Sequence, residues 1–388
     1  MKIAISTPGR FHNFDQAAAL YSAGVLDKIY SAYPRYKLRG TGVPDKNIVT
    51  LGYLQTIHVG LSRFALGMAV SRLNSAIYER VQDDLDREVA LRLGDVDVLI
   101  AQAGSGFRSG LRVQRSGGKY VVDRGSTHIL FQDAILYEES NRLGVPVKRA
   151  TTSAIQRELS EYALADAILL PSKFALESYL EYGIPRKKLK LVQYGINFAN
   201  FQPSHTKAER FRVLFAGQVG FRKGIHYLLS AWKQWGNTDA ELRIVGAVQP
   251  EMREIIRQLG GLPPGVTFVG HMPQQALVRE MSEAHVLVLP SLEEGLALVM
   301  LQAMACGTPV IATHNTGAGS LFENGTEGFV GPARSTEYLL ETLQAVYEQP
   351  DRLRSISGLA LKRVHEFGGR DAYGHRILEV VREIDRGV

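Results

Sequence analysis

Short apolar runs alternate with helical stretches along almost the whole of this 388-residue chain. That alternation constrains the fold more than any other feature. Runs such as Lys119–Asp123 (KYVVD), Ala167–Leu170 (AILL) and His285–Leu289 (HVLVL) are apolar at consecutive positions, the pattern of strands buried on both faces of a parallel sheet. In the first half, strands are expected at Lys2–Thr7, Ile29–Tyr33, Val96–Ala101, Lys119–Asp123, Ala167–Leu170 and Leu189–Gln193. In the second they fall at Arg212–Ala216, Glu241–Val245, Val266–Val269, His285–Leu289, Pro309–Ala312 and Gly328–Val330. The expected class is α/β: two Rossmann-like, doubly wound domains facing a cleft. The length suits two domains, each with its own core. The polar, aperiodic stretch from Phe201 to Arg210 marks the junction. Residues 1–203 and 204–371 then form the domains, and 372–388 a last helix that packs back on the first.

Two loops of the second half carry recognisable chemistry. The segment PSLEEGLALVMLQAMACGTPVIAT (Pro290–Thr313) reads as a strand end, a loop of small residues, an apolar helix from Leu298 to Ala305 and a return strand. Such a loop lies at the carboxyl edge of the sheet, where open α/β folds bind ligands. The free N–H groups of the helix start favour an anion. Glu294 and Gln302 add hydroxyl partners, the set a sugar nucleotide needs; a capped helix start, with Glu293 and Glu294 on the dipole, is the plainer alternative. In the other loop, Gly217–Gly224, Arg222 and Lys223 precede a helix whose apolar face is Ile225, Leu228, Leu229 and Trp232. Cations there oppose the helix dipole, and a bound polyphosphate resolves the conflict. Two solvated surface cations are the alternative.

Together, GQVGFRKGIHYLLSAW and PSLEEGLALVMLQAMACGTPVIAT resemble the donor half of the retaining glycosyltransferases of family 4 (glycosyl transferases group 1), which have the GT-B fold. VQYGINFANF, FVGHMPQQALVREMSEAHVLVLPS and NGTEGFVGP are similar to further segments of that family, and KYVVDRGSTHIL to its active-site strand and loop. The resemblance implies hexosyl transfer from a UDP-sugar or GDP-sugar to an acceptor hydroxyl with retention of anomeric configuration. It implies donor diphosphate contacts from Lys223, Arg222, Gly9 and the Leu296, Ala297 and Leu298 backbone. Glu294 and Gly295 would meet the donor sugar, Gln302 the ribose, and His128 the transferred sugar, with His128 and Glu294 as the catalytic pair. Two positions depart from the commoner family pattern: Gln302 replaces a second Glu, and Gln218 replaces an Arg after the loop Gly. No cofactor or metal is expected, since no Asp-x-Asp or His-x-Asp pair sits on a suitable loop.

Other readings compete. Gly104, Gly106 and Gly110, with Asp123 nineteen positions after Gly104, form a Gly-x-Gly-x-x-x-Gly pattern that suits an NAD(P)-dependent oxidoreductase. A GT-B nucleotide-sugar epimerase would need first-domain carboxylates, with Asp123, Glu138 and Glu139 as candidates. His12 and Arg10, on the first strand's loop, suit acceptor or phosphate. The net charge of +6 fits anionic small molecules, a membrane surface or nucleic acid. Only YPRYKLRG (Tyr33–Gly40) interleaves basic and aromatic residues, so no nucleic-acid partner is expected. The expected partners are a nucleotide-sugar donor and a glycan or lipid-linked acceptor. Leu61–Val81, with Arg63, Arg72 and Arg80, is amphipathic: a helix packed on its own sheet is the plainer reading, and peripheral contact with an anionic membrane the alternative. A single cysteine, Cys306, suits a reducing compartment, and no signal-like start or membrane span is seen. The expected location is cytoplasmic, peripheral at the inner face of the membrane if the acceptor is lipid-linked.

Overall fold

A computed structural model describes residues 1–10, 12–51, 68–147 and 149–386; between 68 and 75 only the backbone is described. Two parallel sheets organise it. The first contains β1 (Ile3–Thr7), β2 (Leu26–Ser31), β3 (Ile48–Thr50), β4 (Val98–Gln102), β5 (Lys119–Asp123), β6 (Ala167–Leu170) and β7 (Leu189–Leu191). The second contains β8 (Phe211–Ala216), β9 (Ala240–Val245), β10 (Val266–Gly270), β11 (Val286–Leu289), β12 (Val310–Thr313) and β13 (Phe329–Gly331). Their orders are β3-β2-β1-β4-β5-β6-β7 and β10-β9-β8-β11-β12-β13. Each chain segment winds outward from a central strand, then returns to the centre and winds the other way. Each sheet therefore has a topological switch point, at β1/β4 and at β8/β11, with a crevice at the strands' carboxyl ends.

Every strand expected from the sequence is present, within a few residues. One was not expected: Ile48–Thr50 is a three-residue edge strand on β2, too short to show a period. The β2 strand also lies earlier than expected, because Leu26 pairs with Ile3 despite the polar Asp27 and Lys28 between the apolar residues. Tyr33 and Pro34 fall outside it.

The final helix, Arg370–Arg386, turns back on the first domain. Arg370 pairs with Asp15 at 2.7 Å, Lys190 with Glu383 at 3.1 Å, and Arg376 donates to the Gln193 carbonyl. Its Gly374 lies against Ala19 of the Asn13–Ser22 helix, where an added Cβ would meet the Ala19 Cβ at 2.4 Å. Part of the helix expected at Leu61–Val81 lies outside the described residues, as do Arg63 and the Arg72 side chain. The backbone is helical from Met68 to Arg92. Among the described residues no helix is long and apolar enough to cross a membrane.

The close helix contact generates a prediction. Gly374→Val forces the two helices apart and costs about 1–3 kcal/mol by overpacking. Urea unfolding followed by circular dichroism should show a lower first midpoint; an unchanged midpoint would show that the final helix docks loosely.

Candidate active site

The loops after β8 and β11 flank the second switch point and pack directly on each other. Gly224 adopts φ 64°, and a Cβ there would sit 1.9 Å from the Pro290 carbonyl oxygen, so only glycine lets the loops close. The Leu292 N–H donates to the Arg222 carbonyl at 2.8 Å. This packing brings both cations of one loop to both acids of the other. Lys223 Nζ contacts Glu294 Oε1. Arg222 Nε lies 2.8 Å from Glu293 Oε2, and its Nη2 lies 3.8 Å from Glu294 Oε2. Glu294, Gly295, Leu296 and Ala297 are buried.

The helix expected at Leu298–Ala305 begins and ends where the sequence places it. Ala297 occupies its N-cap without a side-chain cap bond. The Ala297 N–H is spent on the Thr316 carbonyl at 3.2 Å, so it is not free for a phosphate. Leu298 is half-buried at the helix start, and Gln302 is half-buried one turn further on. In the first domain Gly9 is buried beside β1, its carbonyl accepting from Thr7 Oγ1 at 3.2 Å.

Glu293 does more than brace a helix dipole. It is 0% exposed, and its carboxylate crosses the cleft into the loop after β5. It accepts from Ser126 Oγ (2.5 Å), Thr127 N (3.1 Å), Thr127 Oγ1 (2.8 Å) and Gln132 Nε2 (2.7 Å). Burial alone would raise its pKa. The Arg222 guanidinium and the bonds from Ser126, Gln132 and Thr127 outweigh burial and hold it at about 2. Beside this clamp, Ser172 Oγ donates to the Gly295 carbonyl. A Cβ on Gly295 would meet the Gly125 oxygen at 2.3 Å. The domains therefore touch directly at the loop after β11. A second seam joins Glu139 to His226 (2.9 Å), Tyr227 (2.7 Å) and Arg334 (2.8 Å) of the second domain.

His128 was expected over the transferred sugar. Its ring is 1% exposed, stacked on Tyr182 with centroids 4.6 Å apart and bounded by Tyr162 and Tyr179. Its Nδ1 accepts from the Leu130 N–H at 3.3 Å, capping its own helix. Burial, with Arg124 nearby, pulls its pKa down to about 4. In this arrangement the ring is not open to the cleft, and Ser126 and Thr127 take the inter-domain position instead.

The competing glycine motif is also accounted for. The Gly104 and Gly106 N–H groups donate to Glu161 at 2.6 and 2.7 Å. A Cβ on Gly106 or Gly110 would strike Tyr120 at 2.4 or 2.6 Å. These glycines serve close packing, and the amides that a pyrophosphate would need are filled by a carboxylate. Asp123, the would-be ribose acid, instead accepts from His12, Asn13 and Gln16. Glu138 and Glu139, the epimerase candidates, are paired with Arg334. In YPRYKLRG, Arg35 is spent on the Asp45 and Ile48 carbonyls.

The clamp sets a pH dependence. A carboxyl held at about 2 in the fold, against about 4.3 unfolded, stabilises above the unfolded value. That stabilisation, on the order of 3 kcal/mol, is lost as pH falls from about 4.3 through about 2. Glu293→Gln should be less stable at pH 7 and show a shallower acid-denaturation curve below pH ~4.3. An acid curve parallel to that of the parent protein would show that Glu293 is not the group responsible.

Residues 210–349 match the family described as glycosyl transferases group 1. The chain is 27% identical to D-inositol 3-phosphate glycosyltransferase 1 of Catenulispora acidiphila, over 76% of this chain and 74% of that protein. It is 24% identical to the amylovoran biosynthesis glycosyltransferase AmsK of Erwinia amylovora, and this match spans just over half of each protein, 56%. Its fold superposes on Anabaena HepE, solved in complex with UDP and glucose, with a TM-score of 0.71 at 16% identity, covering 99% of this chain and 100% of that one. The second domain is thus similar in sequence to the glycosyl transferases group 1, and the two parallel sheets have the GT-B fold of the superposed structure.

Proposed function

We propose that this protein is a retaining glycosyltransferase that moves a hexosyl group from a nucleoside-diphosphate sugar to an acceptor hydroxyl in polysaccharide, lipopolysaccharide or glycolipid synthesis. The observation that carries the reading is the convergence of Arg222, Lys223 and Glu294 at the switch point of the second sheet, beside a helix start without a side-chain cap. HepE, whose structure was solved with UDP and glucose, and AmsK, named for amylovoran biosynthesis, support it.

The mechanism follows from the charges. As the bond from the sugar to the diphosphate breaks, negative charge grows on the leaving group. Lys223, Arg222 and the helix start would stabilise that charge, the kind of electrostatic term that usually dominates such reactions. Lys223 holds Glu294 in the structure. A bound diphosphate would take Lys223 over, and so release Glu294 for the sugar hydroxyls. Gly295 would line the sugar, with the Leu296 and Leu298 backbone beside the phosphates and Gln302 at the ribose, where an amide both donates and accepts. Gly9 would approach the diphosphate from the first domain. Because the Gly295 and Gly125 loops are in contact, the donor would enter as the domains part and be shielded from water as they close. No metal is assigned, so turnover should survive EDTA. The protein would act in the cytoplasm, meeting a lipid-linked acceptor at the membrane's inner face.

The test is thermal-shift titration with UDP, GDP, NAD and NADP. UDP or GDP should raise the melting temperature, and Lys223→Ala should abolish the rise. A shift with NAD or NADP alone, indifferent to that substitution, would sink the reading. Glu294→Gln separates the roles further. Freed from its ion pair, Lys223 should bind UDP or GDP alone several-fold more tightly, a gain on the order of 1 kcal/mol, while transfer collapses. Proton NMR of the product's anomeric signal reports retention directly.

A further inference from the structure

The segment YPRYKLRG (Tyr33–Gly40) interleaves basic and aromatic residues, and the donor chemistry does not use it. It follows β2 at the carboxyl edge of the first sheet, next to the β1/β4 switch point. Several bonds hold its shape. Arg35–Lys37 is a single 3-10 turn, in which the Lys37 N–H donates to the Pro34 carbonyl at 2.9 Å and the Leu38 N–H to the Arg35 carbonyl at 3.0 Å. Arg35 Nη2 donates to the Ile48 carbonyl of β3 at 2.9 Å. Leu38, 2% exposed, anchors the turn in the core. From the loop after β1, Arg10 Nη1 donates to the Lys37 carbonyl at 3.1 Å, so the two loops form one rim.

The side chains on this fixed rim point to a ligand. Tyr36 is 62% exposed, with Lys37 Nζ 5.7 Å from its ring centroid. Arg10, Lys37 and Arg39 are exposed, and none of them has a carboxylate at ion-pair distance among the described residues. Asp15, which feels the charge of Arg10, pairs with Arg370 at 2.7 Å. Asp45 is the single acid of residues 33–47, against Arg35, Lys37, Arg39 and Lys46. Like charges gathered on an ordered loop repel one another and add nothing to the core, and a bound anion removes the conflict. The rim also leads to the proposed donor-sugar position. A Cβ on Gly125 would lie 3.5 Å from the ring of His12, two residues after Arg10, and Gly125 touches Gly295 of the second domain.

We propose that the acceptor is an acidic saccharide, its carboxylates set on Arg10, Lys37 and Arg39 and one sugar ring on the face of Tyr36. The assignment rests on the transferase reading and names its acceptor class. The planar forks of Arg10 and Arg39 match a carboxylate, and Lys37 adds a compact charge beside them. Nη1 of Arg10 is held by the Lys37 carbonyl, which fixes the guanidinium and leaves its other N–H groups for the ligand. Tyrosine offers a flat apolar face with a polar tip. With Lys37 over one face of Tyr36, the other is left for a sugar ring. Two other anionic partners fit less well. A nucleic-acid strand stacks successive bases on several aromatic side chains, and here Tyr36 stands exposed while Tyr33 is half-buried. A membrane-binding element inserts exposed apolar side chains, and here Leu38 is turned into the core.

The experiment compares, by titration calorimetry at low salt, the trimer of galacturonic acid with the same trimer as its methyl ester, which keeps the sugar and removes the charge. The acid should bind about tenfold more tightly, and the double variant Lys37→Ala, Arg39→Ala should lose about that factor for the acid and nothing for the ester. Tyr36→Ala should weaken both trimers alike, by about fivefold, and Tyr36→Phe should restore them. The thermal shift by UDP or GDP should match the parent's in every variant, which also shows that the variants fold. Equal affinity for acid and ester, no binding of the acid, or undiminished binding in the double variant overturns the assignment and leaves the transferase reading standing. Phosphatidylglycerol vesicles or a single-stranded oligothymidylate, held more tightly than the acid trimer and released by the same substitutions, would give the rim to a lipid or a nucleic acid and overturn it too. A parent protein without a shift by UDP or GDP sinks the transferase reading instead, and an acid trimer that still binds is then a ligand and no acceptor.

Discussion

Glu293 is the contact on which the arrangement of the two domains turns. A fully buried carboxylate is costly unless it is paired and its oxygens are satisfied. Arg222 supplies the charge from the second domain, and Ser126, Thr127 and Gln132 supply hydrogen bonds from the first. No single domain provides the full set, so the acid is satisfied only when the domains are together. Removing one partner of such a group typically costs about 3–5 kcal/mol. The same residue thereby couples the loop after β8 to the domain seam. Any ligand that draws Arg222 away weakens the hold of Glu293 on the first domain.

The site sits where it does because of winding, not because of any one motif. At β8/β11 consecutive connections leave the sheet in opposite directions, and the strands' carboxyl ends open a crevice there. Glycines let two loops share that space, with Gly224 against Pro290 and Gly295 against Gly125. The equivalent point of the first sheet is β1/β4, which brings the loop after β1, with His12, to the same cleft. The two halves thus face one another with cations and Glu294 on one wall and the His12–Asp123 pair on the other.

The glycine motif of the first domain shows how a pattern can mislead. Gly104 and Gly106 have the spacing of a phosphate loop, and their N–H groups do bind a carboxylate. That carboxylate is Glu161, fifty-seven and fifty-five residues away. An acid of the chain's own has taken the place of the anion. Burial pushes Glu161 up to about 8, while the Gly104 and Gly106 bonds pull in the opposite sense. Arg334 is a related case at the second seam. It is the described non-glycine residue at positive φ, 63°, and it holds both Glu138 and Glu139.

Strand positions, the α/β class and the two loops that meet at the second switch point were legible in the sequence by itself. Apolar runs such as Lys119–Asp123 and Val286–Leu289 are buried on both faces, and burial on both faces imposes a continuous pattern on residues adjacent in the chain. The Leu298–Ala305 helix was legible for the same reason, since Gly307 and Pro309 stop it locally. The three-residue β3 was not, because it is too short to have a period. Nor were the surroundings of the two histidines. His128 follows a polar loop and looks exposed, yet tyrosines thirty-four and more residues away enclose it. His12 looks ordinary until Asp123, one hundred and eleven residues on, binds its ring. Glu293 and Glu294 are neighbours in the chain with opposite assignments, one closing the domains and one facing Lys223. Pairing across such separations depends on how the sheets wind and how the domains meet, and only the tertiary structure decides it.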